Sequence, residues 1–198
     1  IVFMKDTNGD RVADIKEVLF SGFPVANTQH NINGLMWGLD NWVYGANGGN
    51  NGAAYFTKTP DKKTRLQRMD FRFRPDTGEF RTSYESTGGF GIATDAWGRM
   101  FGTHNTNHFQ HMVFRAEYLE RAPDLVVPSA RHQISDHESS AKLFQISEPE
   151  TRVNHPEQAG RFSAGCGLIY YGGGALSSEY NDSFLVSDVV VNVVHQDV

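Results

Sequence analysis

The chain has 198 residues, of which 39% are hydrophobic, and its 18 basic and 23 acidic side chains give a formal net charge of −5. This acidic balance, without any cluster of Lys or Arg, argues against a nucleic-acid partner, which would need a basic patch to meet the phosphates. No apolar run reaches the roughly 20 residues of a membrane-spanning helix.

The length is typical of one domain, and the 20 glycines indicate an all-β protein with many turns. A single thiol, Cys166, allows no internal disulfide and leaves the redox compartment open. The chain begins at Ile1 within a strand-like run rather than at Met, so we expect a processed or partial chain.

The first distinctive segment is the acidic stretch DTNGDRVADIKE at residues 6–17. Calcium prefers six to eight oxygen ligands, and a twelve-residue loop can supply them from positions 1, 3, 5, 7, 9 and 12. Those positions are filled here by Asp6, Asn8, Asp10, the carbonyl of Val12, Asp14 and Glu17. Position 6, usually Gly, is Arg11. The spacing predicts a structural calcium site, and a solvated acidic turn is the alternative.

Short apolar runs separated by turns dominate the rest of the chain. Leu66–Phe73 largely alternates apolar and polar residues, meets the turn Pro75–Gly78, and is followed by Phe80–Tyr84. This arrangement predicts a β-hairpin. The best helical pattern is short, at Arg115–Arg121, and it ends at Ala122-Pro123.

A weak repeat relates three segments. Gly34–Gly45 and Gly91–Gly102 each contain a strand, a polar turn and an aromatic-bearing strand, and a looser copy spans Gly167–Gly172 and Ser183–Asp188. Recurring hairpins predict a β-propeller, with a β-sandwich as the alternative. Because a blade takes about 40–50 residues, we expect three to four blades of a larger propeller, with short helical insertions. Open blade edges then require the remaining blades or a partner chain.

Several polar residues are candidates for chemistry. His30 precedes the first repeat, where it could face the mouth of a propeller and act as a general base. His104 and His108 could share a metal if the chain turns between them, or could line a polar pocket. Small neighbours of Cys166 favour packing over reactivity. Adjacent residues of a strand face opposite ways, so Asp136–Glu138 is assigned no catalytic triad.

Six stretches together resemble one family over nearly all 198 residues. They are DTNGDRVAD, GLMWGLDNWVYGANG, RPDTGEF, GFGIATDAWGRMFGTHNTNH, DHESSAKLFQIS and RFSAGCGLIYYGGGALSSEYNDSFLVSDVVVNVVHQD. The pattern resembles the PVC-type membrane-bound dehydrogenases, or haem-binding CxxCH proteins. Their propeller part is related to the soluble quinoprotein glucose and sorbosone dehydrogenases. The resemblance implies that residues 1–198 are a partial propeller domain.

The resemblance also implies a site and partners. The dehydrogenases that the chain resembles use a histidine before a G-x-L strand as the base, and hydride passes to pyrroloquinoline quinone. His30, before Gly34-Leu35, occupies the similar place, with one extra residue in the spacing. Longer members add cytochrome c-like domains, which implies a cytochrome partner. Where relatives carry an Arg-Asn pair that contacts the quinone, this chain has Thr87–Phe90.

Two functions follow from the resemblance. The first is oxidation of a sugar or alcohol, with electrons passed to a quinone or cytochrome partner. The second is a non-catalytic binding or assembly module. In either case we expect a periplasmic or extracellular protein, with any membrane association made through other parts of the full-length chain.

Overall fold

A computed structural model describes residues 1–25, 27–146 and 159–198. Ser147, which ends the stretch DHESSAKLFQIS, lies outside these residues. The described chain is all-β, with sixteen strands and one short α-helix, α1, at Ala116–Glu120. The strands are β1 Val2–Lys5, β2 Ile15–Val18, β3 Phe20–Ser21, β4 Asn33–Trp37, β5 Val43–Ala46, β6 Ala53–Phe56, β7 Lys63–Arg65, β8 Met69–Phe73, β9 Phe80–Glu85, β10 Ile92–Thr94, β11 Met100–His104, β12 Asn107–Met112, β13 Arg131–Gln133, β14 Gly165–Tyr171, β15 Ser183–Asp188 and β16 Val193–Asp197.

The strands form five antiparallel sheets. Two are small: the hairpin β1–β2 and the three-stranded β3-β6-β7. The other three are sheet A, β4-β5-β8-β9; sheet B, β10-β11-β12-β13; and sheet C, β14-β15-β16. Antiparallel neighbours can be joined by short turns, so a chain punctuated by glycine and proline gives sheets whose strands follow in chain order. Among the residues that the structure describes, these sheets do not close into a barrel.

The three repeats predicted from the sequence are confirmed as hairpins. Each copy supplies the first two strands of sheet A, B or C: β4–β5, β10–β11 and β14–β15. The glycine that begins each copy has a positive φ, +61° at Gly34, +105° at Gly91 and +65° at Gly167. Side chains rarely adopt this backbone region. The glycines in the pattern therefore follow from backbone geometry.

The first strands of sheets A, B and C approach one another closely. A side chain at Gly34 would place its Cβ 3.2 Å from the backbone nitrogen of Ile92, and one at Gly91 would lie 3.1 Å from that of Leu168. The Gly167 N–H donates to the Phe90 carbonyl at 3.1 Å. Successive sheets thus meet along their first strands, with glycines at the close contacts.

Aromatic side chains fill the spaces between the sheets. Between sheets B and C, Phe101 contacts Phe184 with ring centroids 4.5 Å apart. Trp42, just before β5, and Tyr44 of sheet A pack with Met100 and Met112 of sheet B. A third cluster joins the three-stranded sheet β3-β6-β7 to sheet A. It contains the fully buried Phe20, Leu66 and Phe71, with Phe73 and Leu19 beside them.

Two local expectations have definite outcomes. The short helix at Arg115–Arg121 is confirmed as α1, and no helix among the described residues is long and apolar enough to cross a membrane. The strand expected over Leu66–Phe73 begins later, at Met69. Gln67 and Arg68 have φ values of +47° and +63°, which are incompatible with an extended strand.

Candidate functional site

A polar cleft of about 690 Å³ opens between sheets A and B. Loops from both sheets reach it, together with the 3₁₀ turn Thr28–His30 that precedes β4. The ionisable side chains that line it are His30, Arg68, Glu85, His104 and Arg131. Amides of Asn107, Gln110 and Gln133 complete the polar wall. The structure thus brings His30 and His104 of the sequence-predicted residues into one cleft.

The orientation of His30 leaves one ring nitrogen able to accept a proton. Its Nδ1 lies 3.0 Å from the carbonyl oxygen of Gly88, an acceptor only, so we assign the ring proton to Nδ1. Nε2 then keeps its lone pair. The His30 carbonyl accepts from the Asn50 amide, and a Cβ on Gly48, at φ +62°, would lie 2.4 Å from that oxygen. The loop around Gly48 therefore fixes the histidine backbone.

His104 takes the opposite tautomer. Its Nδ1 accepts from the Thr106 backbone N–H at 3.3 Å, so the proton of the neutral ring lies on Nε2. Burial lowers the pKa of His104, and the charges of His30 and Arg131 lower it further. His104 is therefore a neutral hydrogen-bond donor, in contrast to His30, whose Nε2 is an acceptor.

The segment Thr87–Phe90 separates the two histidines. Gly88 has φ +80°, and its carbonyl accepts a hydrogen bond from His30 Nδ1–H. A Cβ on Gly88 would lie 3.4 Å from His104 Cδ2. An arginine at Gly88 would therefore be strained and crowded. The segment Thr87–Phe90 is therefore a backbone strip that orients His30.

Arginines reach the cleft from other elements. Arg131 is held by Glu85, with Nε to Oε1 at 3.1 Å, and its Nη1 donates to Gln110 Oε1 at 3.3 Å. Arg68 is exposed at the rim. Guanidinium groups form charge-assisted hydrogen bonds with carboxylates. Arg68 and Arg131 thus give the cleft two groups able to bind an anionic ligand, whereas Thr87–Phe90 offers no cation.

A buried carboxyl supports the floor of the cleft. Asp70 is 1% exposed, and its Oδ1 accepts the Asn47 N–H at 2.8 Å. Burial raises the pKa of Asp70 to about 6, against the opposing hydrogen bonds from Asn47 and Ser86. The Ser86 hydroxyl oxygen accepts from the N–H groups of Gly49 and Gly88 at 3.1 and 3.2 Å. Ser86 thereby links the loops on both sides of His30.

The acidic loop lies in the turn between β1 and β2. The Asp6 carboxylate accepts the backbone N–H groups of Gly9, Arg11 and Asn8 at 2.7, 2.8 and 3.1 Å. These bonds, led by those from Gly9 and Arg11, lower the pKa of Asp6. Arg11 has φ +71°, the conformation for which calcium loops usually carry Gly at this position.

Only part of the predicted calcium set converges in that loop. The Asn8 amide nitrogen lies 3.2 Å from Asp10 and 3.4 Å from Asp14, between their carboxylates. Glu17 lies on β2 and pairs with Lys58 at 2.8 Å. The Val12 side chain is exposed, and its N–H donates to Asp10. The calcium site stays a prediction, and in this conformation Glu17 is engaged elsewhere.

The remaining candidate residues from the sequence do not all lie in the cleft, and two residues that do lie there were not predicted. His104 lines the cleft, whereas His108 is fully buried outside it, so the two do not share a metal. Burial, with a contribution from Asp188, raises the pKa of the Cys166 thiol, which agrees with a packing role. Sequence reasoning missed Glu85 and Arg131, because the spacing of 46 residues between them carries no motif.

The chain was compared with protein families, curated proteins and solved structures. Neither the curated proteins nor the solved structures gave a match. One family model matches residues 1–198, which is the whole chain. The chain therefore belongs to the family described as Domain of unknown function (DUF7133).

Proposed function

We propose that this chain is a partial β-propeller whose polar cleft oxidises a sugar or alcohol. Sheets A, B and C are taken as blades. The proposal is supported by their equivalent starting hairpins and by the close approach of their first strands at Gly34 and Gly91. The remaining blades or a partner chain would cover the open sheet edges, which otherwise expose unpaired backbone groups.

His30 is the proposed general base. The observation that carries this assignment is the contact of Nδ1 with the Gly88 carbonyl, which leaves Nε2 as an acceptor in a polar cleft. Nε2 takes the hydroxyl proton of the substrate, and the C–H hydrogen leaves with its electron pair as the carbon forms a carbonyl. His104 Nε2–H and the amides of the cleft bind the neighbouring hydroxyl groups.

The electrons require an acceptor. Pyrroloquinoline quinone, when bound, supplies a two-electron acceptor of hydride, and a cytochrome c-like partner would then reoxidise it. Arg68 and Arg131 are the residues proposed to hold its carboxylates. A structural calcium ion in the loop at residues 6–17, and a periplasmic or extracellular location, belong to the same proposal.

Dye-linked oxidation tests the proposal. The protein is incubated with pyrroloquinoline quinone and Ca²⁺, and reduction of a redox dye is followed across a panel of aldoses and primary alcohols. His30→Gln should lower kcat/KM about 10²–10⁴-fold, with quinone binding, measured by fluorescence, retained. The matched control is His132→Gln, because His132 is exposed on β13 and does not line the cleft.

Two outcomes would reject parts of the proposal. If dye reduction survives His30→Gln, His30 is not the base. If the wild-type protein neither binds the quinone nor reduces the dye with any substrate in the panel, the dehydrogenase assignment fails.

A second candidate is a non-catalytic binding or assembly module. It is favoured by the backbone strip at Thr87–Phe90, which offers a quinone no cation. It is also favoured by exposed apolar side chains on the first strands of the sheets, including Leu35, Trp37 and Ile169. Retained binding of a sugar without oxidation would support this function. Calorimetry with the same sugar panel and the same His30→Gln variant separates the two.

A further inference from the structure

Three histidines and two aspartates meet on the side of sheets B and C, and none of them lines the cleft. His108 comes from β12, His195 and Asp197 from β16, and Asp136 and His137 from the segment after β13. One ligand atom from each of His108, His137 and His195 lies within 4.8 Å of the others. The same limit holds for Asp136, His195 and Asp197. We refer to these five residues as the histidine cluster.

The cluster contains buried polar atoms without a hydrogen-bond partner. They are both ring nitrogens of His137, Nε2 of His195 and Oδ2 of Asp197. Asp197 is only 2% exposed, and the His137 and His195 side chains are 17% and 15% exposed. Buried polar groups in native proteins are nearly always satisfied. One of the two His137 nitrogens carries a proton in the neutral ring, but the other nitrogen and Asp197 Oδ2 keep lone pairs without a donor. These lone pairs indicate a ligand that accepts electron pairs.

The orientation of His108 gives an independent indication. Its Nδ1 contacts the carbonyl oxygen of Ser140, so the proton of a neutral ring lies on Nδ1. Its Nε2 faces the Asp197 carboxylate, 2.8 Å from Oδ2 and 3.1 Å from Oδ1. A nitrogen lone pair and a carboxylate repel at this distance unless a cation lies between them. Metal-ligating histidines commonly donate their other N–H to a backbone carbonyl, as His108 does.

The surroundings also suit a metal ion. The His108 ring is fully buried and stacks on the Phe162 ring with centroids 4.4 Å apart. The His195 ring packs against Phe162 in a T-shaped arrangement, with centroids 5.5 Å apart. Imidazole nitrogen with one carboxylate oxygen is a ligand set typical of Zn²⁺ at about 2.0–2.2 Å. Calcium and magnesium prefer oxygen ligands only.

We propose that His108, His137, His195 and Asp197 bind one divalent transition-metal ion of the zinc class, with His108 coordinating through Nε2. Asp136, whose Oδ1 is 3.9 Å from His137 Nε2 and 4.0 Å from His195 Nε2, stands beside the ligands. The ion joins β12, β16 and the segment after β13, and so ties the C-terminal strand of sheet C to sheet B. This inference is independent of the proposed oxidation in the cleft.

Metal titration tests the site. The full chain is stripped with a chelator, returned to a buffer with excess Ca²⁺ to occupy oxygen-only sites, and titrated with Zn²⁺ and Co²⁺. We expect one equivalent of Zn²⁺ by elemental analysis, a rise in Tm with Zn²⁺ concentration, and a visible Co²⁺ spectrum of tetrahedral intensity that Zn²⁺ abolishes. His137→Gln should weaken binding at least about tenfold.

Four variants locate the ion. His137→Gln removes a ligand that has no hydrogen bond to lose, and His195→Gln repeats the test from β16 if the first variant unfolds. His132→Gln, on the exposed face of β13, and His104→Gln, in the cleft, should leave affinity unchanged. Binding that is lost in His104→Gln would place the metal in the cleft and overturn the proposal. The proposal also fails if wild-type protein binds neither metal stoichiometrically, since the cation between His108 and Asp197 is then a proton.

Discussion

The buried carboxyl beneath the cleft gives a quantitative prediction. Asp70 is replaced by Asn, which keeps the oxygen that accepts the Asn47 N–H but removes the charge. Burial raises the pKa of Asp70 to about 6 from the ordinary 3.8. This difference of about 2.2 corresponds to about 3 kcal/mol of unfolding free energy, because one pKa unit is worth about 1.4 kcal/mol.

The sign follows from proton binding. Below the ordinary pKa, Asp70 is protonated in both states and contributes no pH dependence. Between 3.8 and about 6 the folded state binds more protons than the unfolded state, so the unfolding free energy falls as pH rises. Above about 6 the full cost of the buried charge is present. Asp70→Asn should therefore become more stable relative to the wild type across this window.

Urea unfolding at about pH 4 and about pH 8 measures the effect. The free-energy difference between Asp70→Asn and wild type should shift by about 2.4 kcal/mol in favour of the variant, because the unfolded-state carboxyl is already partly ionised at pH 4. Asp124→Asn is the matched control, because it makes the same substitution at an exposed aspartate. A difference for Asp70→Asn that is the same at both pH values would refute the reasoning, whatever its size.

Three further predictions concern the loop, a buried cation and the cleft backbone. Chelation of Ca²⁺ should lower the Tm if the loop at residues 6–17 binds the ion, and an unchanged Tm would argue against a structural ion. Arg72→Met should lower the free energy of unfolding in urea by about 3 kcal/mol. The reason is that the Arg72 side chain, 7% exposed, pairs with Asp40 at 3.0 Å and with Glu117 at 2.5 Å. A decrease below about 1 kcal/mol would be that of a surface ion pair and would contradict this prediction. Gly48→Ala should lower the free energy of unfolding by about 1–3 kcal/mol and weaken ligand binding in the cleft. The reason is that Gly48 has φ +62° and that a Cβ there would lie 2.4 Å from the His30 carbonyl oxygen. A variant with unchanged stability and unchanged binding would contradict this.

The fold was predictable to the extent that its signals are local. Alternation of apolar and polar residues and the glycines at Gly34, Gly91 and Gly167 predict hairpins, because adjacent strands and their turn lie within about twelve residues of each other. The short helix at Arg115–Arg121 was predictable for the same reason. The late start of β8 was not, since the left-handed backbone at Gln67 and Arg68 satisfies contacts with distant loops, such as the Arg68 N–H to the Asn50 carbonyl at 3.1 Å.

The candidate sites also combine features that are local in the sequence with contacts between residues far apart in the chain. The sequence by itself determined that the protein is all-β and that His30 precedes a repeat strand, because both facts follow from neighbours along the chain. Only the tertiary structure placed Arg131 in the same cleft as His30 and brought His108 to Asp197, 89 residues away. Contacts of that kind depend on how whole sheets pack, and sheet packing depends on the shapes of many side chains together rather than on the spacing of any two residues.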